Sequence, residues 1–233
     1  MEPEIVDLQN FLNKMGAKVE GAGTNIIKIK GVKSLKNVNY NIMPDRIEAG
    51  TLLCMTAITG GEIMLEDVNI EHINPVLHKL QESGCKIKTE KNKVFLEAPK
   101  RLKALDIKTM PHPGFPTDMQ SVFAAILATA KGTSIVVENI FENRYRYINE
   151  LQRMGAKITV EGRAAIIKGT KKLIGANVKS TDLRGGAAMC TAALAAKGIT
   201  NIGNIEYILR GYENLDEKLL TLGASIAKKM ESK

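Results

Sequence analysis

The stretch Leu151-Gln152-Arg153-Met154-Gly155-Ala156-Lys157 occurs, in altered form, four times in this chain. Its counterparts are Leu12 to Lys18, Leu80 to Lys86 and Leu219 to Ser225. The glycines fall at 16, 84, 155 and 223, at intervals of 68, 71 and 68 residues. A period that long is a repeated supersecondary block. Each glycine closes an amphipathic segment. In the first, Ile5, Leu8, Phe11, Leu12 and Met15 form the apolar stripe of a helix. In the second, Asn74-Pro75 reads as an N-cap followed by an N1 proline, with Val76, Leu77 and Leu80 facing inward. The glycine then suits the left-handed position just past the helix end.

Outward from each glycine the pattern changes. Ile26 to Lys30, Val94 to Ala98 and Ala164 to Lys168 read as strands. A third strand is expected in each unit, as in Leu105 to Thr109 and Ala176 to Ser180. Gly50 to Thr59, Gln120 to Ala130 and Gly185 to Ala196 then read as helices that are apolar on nearly every side, so they are predicted to be buried all round. Strands Glu62 to Val68, Ser134 to Asn139 and Asn201 to Ile205 complete the units. The fold class is α/β (α+β), with three pseudo-symmetric repeats around buried helices and sheets outside. An aspartate precedes each buried helix: Asp45, Asp118 and Asp182. Under threefold pseudo-symmetry the three N-termini meet at one end, where positive helix dipoles make an anion site.

Composition narrows the function. With 44% apolar residues but only 4% aromatic and no Trp, the core of this 233-residue chain must be mainly aliphatic. No apolar stretch reaches the length of a membrane span, and Met1 to Glu4 has no signal-peptide character, so the expected location is cytoplasmic. Cys54, Cys85 and Cys190 are isolated and not in metal spacing, so they read as buried free thiols. No metal constellation, phosphate loop or dinucleotide fingerprint occurs, and no cofactor is expected. The net charge of +8 is compatible with nucleic acid, but the lysines are dispersed and an anionic small ligand explains the excess as well. Lys228 to Lys233 reads as a frayed tail.

The chemistry concentrates around Pro111-His112-Pro113-Gly114-Phe115-Pro116-Thr117-Asp118-Met119-Gln120. Three prolines and a glycine hold this backbone out of regular structure. Asp118 then reads as an N-cap, ionised at the positive end of a helix and a weak base for that reason. Arg144 and Arg210 hold equivalent places in successive units, and Arg184 follows Asp182 at a buried-helix mouth. Guanidiniums there suit a carboxylate or phosphate. His112 lies between two prolines of the loop and is a candidate ligand contact, whereas His72 and His78 read as solvated.

These residues resemble the UDP-N-acetylglucosamine 1-carboxyvinyltransferase family of enolpyruvyl transferases. The resemblance rests on residues 111–120, Met43 to Thr51, Ile140 to Arg144, Thr181 to Ala188 and Arg210 to Glu213, in order along the chain. It implies an inside-out α/β barrel of enolpyruvyl-transferase type. It also implies a reaction that moves the enolpyruvyl group of phosphoenolpyruvate to the 3-hydroxyl of UDP-N-acetylglucosamine. Phosphate is released through a tetrahedral intermediate, in peptidoglycan precursor synthesis. By resemblance, Asp118 contacts that hydroxyl and serves as the base. Arg144 and Arg184 grip the phosphoenolpyruvate carboxylate, and Arg210 meets its phosphate. Ile140 and Phe141 border the UDP-sugar, and Asp182 supports the pocket.

The resemblance covers about the C-terminal half of the family. Residues 1–43 are expected to be a remnant of the last repeat of the first domain, and residues 44–233 the second domain. The family's N-terminal lysine–asparagine motif and cysteine-bearing loop have no counterpart among the quoted motifs, and none of the three cysteines inherits the loop's role. The implied partner is a separate N-terminal half polypeptide, and negligible turnover is expected of this chain alone. Two alternatives stand beside this reading: a truncated, inactive UDP-sugar-binding fragment, and a basic nucleic-acid-binding protein.

Overall fold

All four repeat glycines take positive φ, at 100° for Gly16, 106° for Gly84, 89° for Gly155 and 91° for Gly223. A side chain is strained there, which explains why the four segments agree on glycine. The structure, a computed structural model, describes residues 1–229, so the end of the expected tail lies outside the described residues.

The first unit holds α1 (Pro3–Lys14), β1 (Lys18–Glu20), β2 (Lys28–Lys30), α2 (Arg46–Thr59) and β3 (Glu62–Leu65). The second holds α3 (Ile70–Glu82), β4 (Lys86–Glu90), β5 (Lys93–Glu97), β6 (Ile107–Lys108), α4 (Gln120–Leu127) and β7 (Thr133–Val137). The third holds α5 (Ile148–Arg153), β8 (Lys157–Glu161), β9 (Ala164–Lys168), β10 (Leu173–Ile174), β11 (Asn177–Lys179), α6 (Leu183–Leu194), β12 (Ala196–Lys197) and β13 (Asn201–Gly203). Short helices α7 (Glu206–Leu209) and α8 (Leu215–Thr221) lead to the last repeat glycine.

Two expectations need correction. The first unit has no third strand, because residues 33–45 run outside any strand. The second helix starts at Ile70 with Asn69 before it, so Pro75 lies inside α3 and does not open it. Ile73, Val76, Leu77 and Leu80 form one buried stripe, and burying Ile73 on that stripe extends the helix past the proline.

The sheets are shared between units. The last strand of one unit pairs antiparallel with the hairpin of the next, giving the orders β3-β5-β4 and β6-β7-β9-β8, with β6 and β7 parallel. Registers repeat too: Val19 faces Ile29, Ile87 faces Leu96, and Ile158 faces Ile167. Leu96 and Ile167 are 0% exposed, whereas Ile29 is 74% exposed. Along α1, Ile5 and Leu8 are also exposed, although Ile73 and Val76 at the same repeat positions are buried. The apolar face of residues 1–43 is thus open where the other two units close theirs.

The interior belongs to α2, α4 and α6. Every residue of α4 is buried, and α6 buries Gly185 through Ala192. Their ends meet as the pseudo-symmetry requires. Ser121 Oγ donates to the Arg184 carbonyl at 2.8 Å, and a Cβ on Gly50 would stand 3.0 Å from the Met119 side chain. Cys54, Cys85 and Cys190 are free and buried. Burial pushes the Cys190 thiol up to about 12, so it is protonated and inert at neutral pH. No helix among the described residues is long and apolar enough to cross a membrane.

Candidate active site

Two of the three helix mouths are capped as their sequences suggest. Asp45 Oδ1 accepts from the N–H groups of Ile47 at 2.7 Å and Glu48 at 3.0 Å. Asp182 Oδ1 accepts from Arg184 and Gly185, both at 2.9 Å. A Cβ on Gly185 would fall 2.4 Å from Thr181 Oγ1, so glycine lets this turn close on its cap.

The third mouth differs. Pro116, with φ −70° and ψ 133°, leads into a 3-10 turn over Thr117–Met119, and no side chain caps it. The expectation that Asp118 caps the helix is therefore wrong. Asp118 is the middle residue of the tight turn, and its carboxylate turns toward two arginines. Asp118 Oδ1 lies 2.6 Å from Arg144 Nη2 and 3.3 Å from Arg184 Nε. Burial pushes the Asp118 carboxyl up, but the Arg184 and Arg144 guanidiniums outweigh it and hold it below the ordinary aspartate value.

Each arginine is held from a second side. The Phe141 ring lies 4.8 Å from the Arg144 guanidinium carbon. Tyr212 lies under Arg184 at 6.0 Å, and its hydroxyl meets Thr51 Oγ1 at 3.0 Å on α2. Burial pushes the Tyr212 phenol up, so it stays neutral. Arg144 Nε is buried without a hydrogen-bond partner. An unsatisfied guanidinium N–H beside a second guanidinium suits an incoming anionic acceptor.

The loop before Asp118 is rigid as read. Gly114 N–H donates to the Pro111 carbonyl at 2.8 Å, Met110 N–H to that of Phe115 at 3.0 Å, and Phe115 stands edge-on to Phe123 at 4.9 Å. The His112–Pro113 peptide bond is cis.

The structure brings Asp118, Arg144, Arg184 and Phe141 together, with Ile140 beside them in the same exposed turn. Asp182 supports the site only by capping α6. Arg210 does not join the ion-pair cluster; it is exposed and lies 5.8 Å from the Tyr207 ring. His112 lies elsewhere: its backbone N–H donates to Glu2 Oε1 at 2.9 Å, and its ring meets His72 at 6.4 Å between centroids. His72 is thus half-buried against His112, not solvated, while His78 is exposed as expected. Among the described residues no group of His, Cys, Asp or Glu is arranged to hold a metal ion.

Sequence reasoning missed Tyr212, Thr51 and Glu138. Tyr212 stands two residues after Arg210 in a quoted motif, which was a usable signal. Glu138 is 1% exposed and binds its neighbours Ile140 and Phe141 and also Thr109 and Thr117, and these last two are not predictable from the chain around it.

The chain is similar to known proteins in sequence and in fold. The sequence profile of the family described as EPSP synthase (3-phosphoshikimate 1-carboxyvinyltransferase) matches residues 1–219. UDP-N-acetylglucosamine 1-carboxyvinyltransferase 1 of Caldanaerobacter subterraneus subsp. tengcongensis is 53% identical over 228 residues, covering 98% of this chain and 55% of that protein. A UDP-N-acetylglucosamine 1-carboxyvinyltransferase of Desulfofundulus thermocisternus is 53% identical over 221 residues, covering 94% of this chain and 91% of that one. The crystal structure of the enolpyruvyl transferase NikO from Streptomyces tendae superposes with a TM-score of 0.85 at 27% identity, over 97% of this chain and 54% of that chain. EPSP synthase from Acinetobacter baumannii shares the fold, with a TM-score of 0.75 at 20% identity over 95% of this chain and 55% of that chain. This chain therefore spans about half the length of the Caldanaerobacter relative and of both solved structures.

Proposed function

The chain belongs to the EPSP synthase (3-phosphoshikimate 1-carboxyvinyltransferase) family, and from that footing we propose that it serves enolpyruvyl transfer from phosphoenolpyruvate to the 3-hydroxyl of UDP-N-acetylglucosamine. The observation that carries this reading is the carboxylate of Asp118 held between Arg144 and Arg184 where three buried helices meet. In this reading Arg144 and Arg184 hold the substrate carboxylate, and Ile140 and Phe141 border the sugar nucleotide. Asp118 takes the proton of the 3-hydroxyl as that oxygen adds to C2 of phosphoenolpyruvate, whose C3 gains a proton. Loss of phosphate and of a C3 proton restores the vinyl group. Arg210 meets the phosphate, which requires its exposed side chain to leave Tyr207 and swing toward the pair.

Electrostatics support a division of labour. Paired with two guanidiniums, Asp118 is a poor base. A substrate carboxylate that takes over those guanidiniums leaves Asp118 with less cationic stabilisation and raises its basicity. The base is then activated by the substrate it serves.

The remaining assignments belong to the same proposal. Residues 1–43 are read as the end of one domain and residues 44–233 as a second domain of inside-out barrel type. The exposed faces of α1 and β2 are read as the docking surface for a separate polypeptide carrying the other half of the cleft. The buried free thiols fit a reducing cytoplasm, and the transfer itself would serve peptidoglycan precursor synthesis.

The test is phosphate release from both substrates. The purified chain is assayed alone and mixed with the N-terminal half of the Caldanaerobacter relative, and calorimetry measures binding of each substrate. Release by the mixture, with binding by this chain, supports the reading. Binding with no release by the mixture leaves a sugar-nucleotide-binding chain. Binding of neither substrate refutes the proposal.

A further inference from the structure

Beside the ion-pair cluster lies a carboxylate with no part in the chemistry above. Glu138 follows β7 and is 1% exposed. Its Oε1 accepts from Thr109 Oγ1 at 2.9 Å, Ile140 N–H at 2.8 Å and Phe141 N–H at 3.1 Å. Its Oε2 accepts from Thr117 Oγ1 at 2.9 Å. All four partners are donors, which is what a buried carboxylate requires.

The partners matter by where they lie. Thr117 immediately precedes Asp118. Phe141 carries the ring under the Arg144 guanidinium. Thr109 precedes the rigid loop, and its Oγ1 also accepts from Asn139 N–H at 2.8 Å, tying the end of β7 to the strand beside it. One carboxylate therefore fastens the loop that carries Asp118 to the turn that carries Arg144. The clasp acts beside a second tie between the same segments, Asn139 Nδ2 to the Thr109 carbonyl at 3.1 Å, and helps set their separation.

We infer that Glu138 is a positioning residue for substrate binding, setting the Asp118–Arg144 separation by clasping the 111–118 loop to the 139–144 turn. The inference rests on the proposed function for its substrate, but not for its geometry. A buried group that merely closes a turn affects stability alone. A clasp also changes how Asp118 meets its arginines, and that can be read in the folded protein.

The test follows the Asp118 carboxyl by carbon NMR across a pH titration of the full chain, in wild type, Glu138→Gln and Thr117→Val. Glu138→Gln keeps the shape and loses the charge. Thr117→Val cuts the loop tie alone, at a half-buried position and with nearly unchanged side-chain volume. Thermal unfolding of each variant confirms the folded state. We expect the Asp118 midpoint to rise toward the ordinary aspartate value in both variants, and calorimetric affinity for phosphoenolpyruvate to fall about tenfold or more. An unchanged Asp118 midpoint in both folded variants overturns the inference and leaves Glu138 a stability residue. If wild type binds no phosphoenolpyruvate, the functional reading fails, and the Asp118 titration still decides the role of Glu138.

Discussion

The mouths of α2, α4 and α6 each carry an aspartate, at 45, 118 and 182, and use it differently. At α2 and α6 the aspartate accepts two N–H groups of its own helix. At α4 the equivalent aspartate accepts none and pairs with Arg144 and Arg184. The difference begins at Pro116, whose extended backbone leads into a 3-10 turn that includes Asp118. A residue inside the turn cannot reach back to cap it. The lesson is that one member of a repeated set of caps can be released for binding, while its two siblings keep the frame.

The sharpest way to break this contrast is by exchange at the aspartates. Asp118→Asn removes the charge between the arginines and the proposed base, so phosphate release by the mixture with the N-terminal half of the Caldanaerobacter relative falls by about 10²–10⁴-fold. Asp182→Asn keeps a good cap and changes release by less than about twofold. Equal losses in the two variants would erase the distinction.

Stability sharpens it from the other side. Asp45→Ala and Asp182→Ala each lose a cap and destabilise by about 1 kcal/mol in urea unfolding. Asp118→Ala loses no cap, so the frame at α4 is unaffected by that route. A hydrogen-exchange comparison of the first turns shows it: protection drops at Ile47 and Glu48, or at Arg184 and Gly185, but not across residues 120–123.

The smallest effect is pH-dependent. The folded Asp118 carboxyl lies lower than in the unfolded chain. Its contribution is therefore present above the ordinary aspartate value and lost as pH falls through the folded value. Unfolding free energies of wild type and Asp118→Asn from urea titrations should converge as pH falls below about 4, a change of less than about 1 kcal/mol given the solvent reaching this pair. Parallel curves across that range would mean the arginines do not stabilise the carboxylate.

Much of this was legible in the sequence. The glycines at 16, 84, 155 and 223 announced both the period and the helix ends, because positive φ admits few other residues. The all-round apolar helices announced the interior. What stayed hidden depended on contacts between distant segments. Pro75 stays helical because the stripe around Ile73 is buried. The clasp at Glu138 joins residues 21 to 29 positions away, and nothing local marks it. Ile29 looks like Leu96 and Ile167 in the chain, yet only the structure shows its face open. Arg210 shares its repeat position with Arg144, but its place in the repeat did not bring it to the carboxylate.

The central claim is that the Arg144–Arg184 pair, now occupied by Asp118, is a binding site for a substrate carboxylate. Phosphoenolpyruvate titrated calorimetrically into wild type, Arg144→Ala and Arg184→Ala tests it directly. The account predicts one-to-one binding to wild type and affinity about tenfold or more weaker in each variant, as expected for loss of a charge-assisted hydrogen bond. Equal affinity in all three proteins contradicts it.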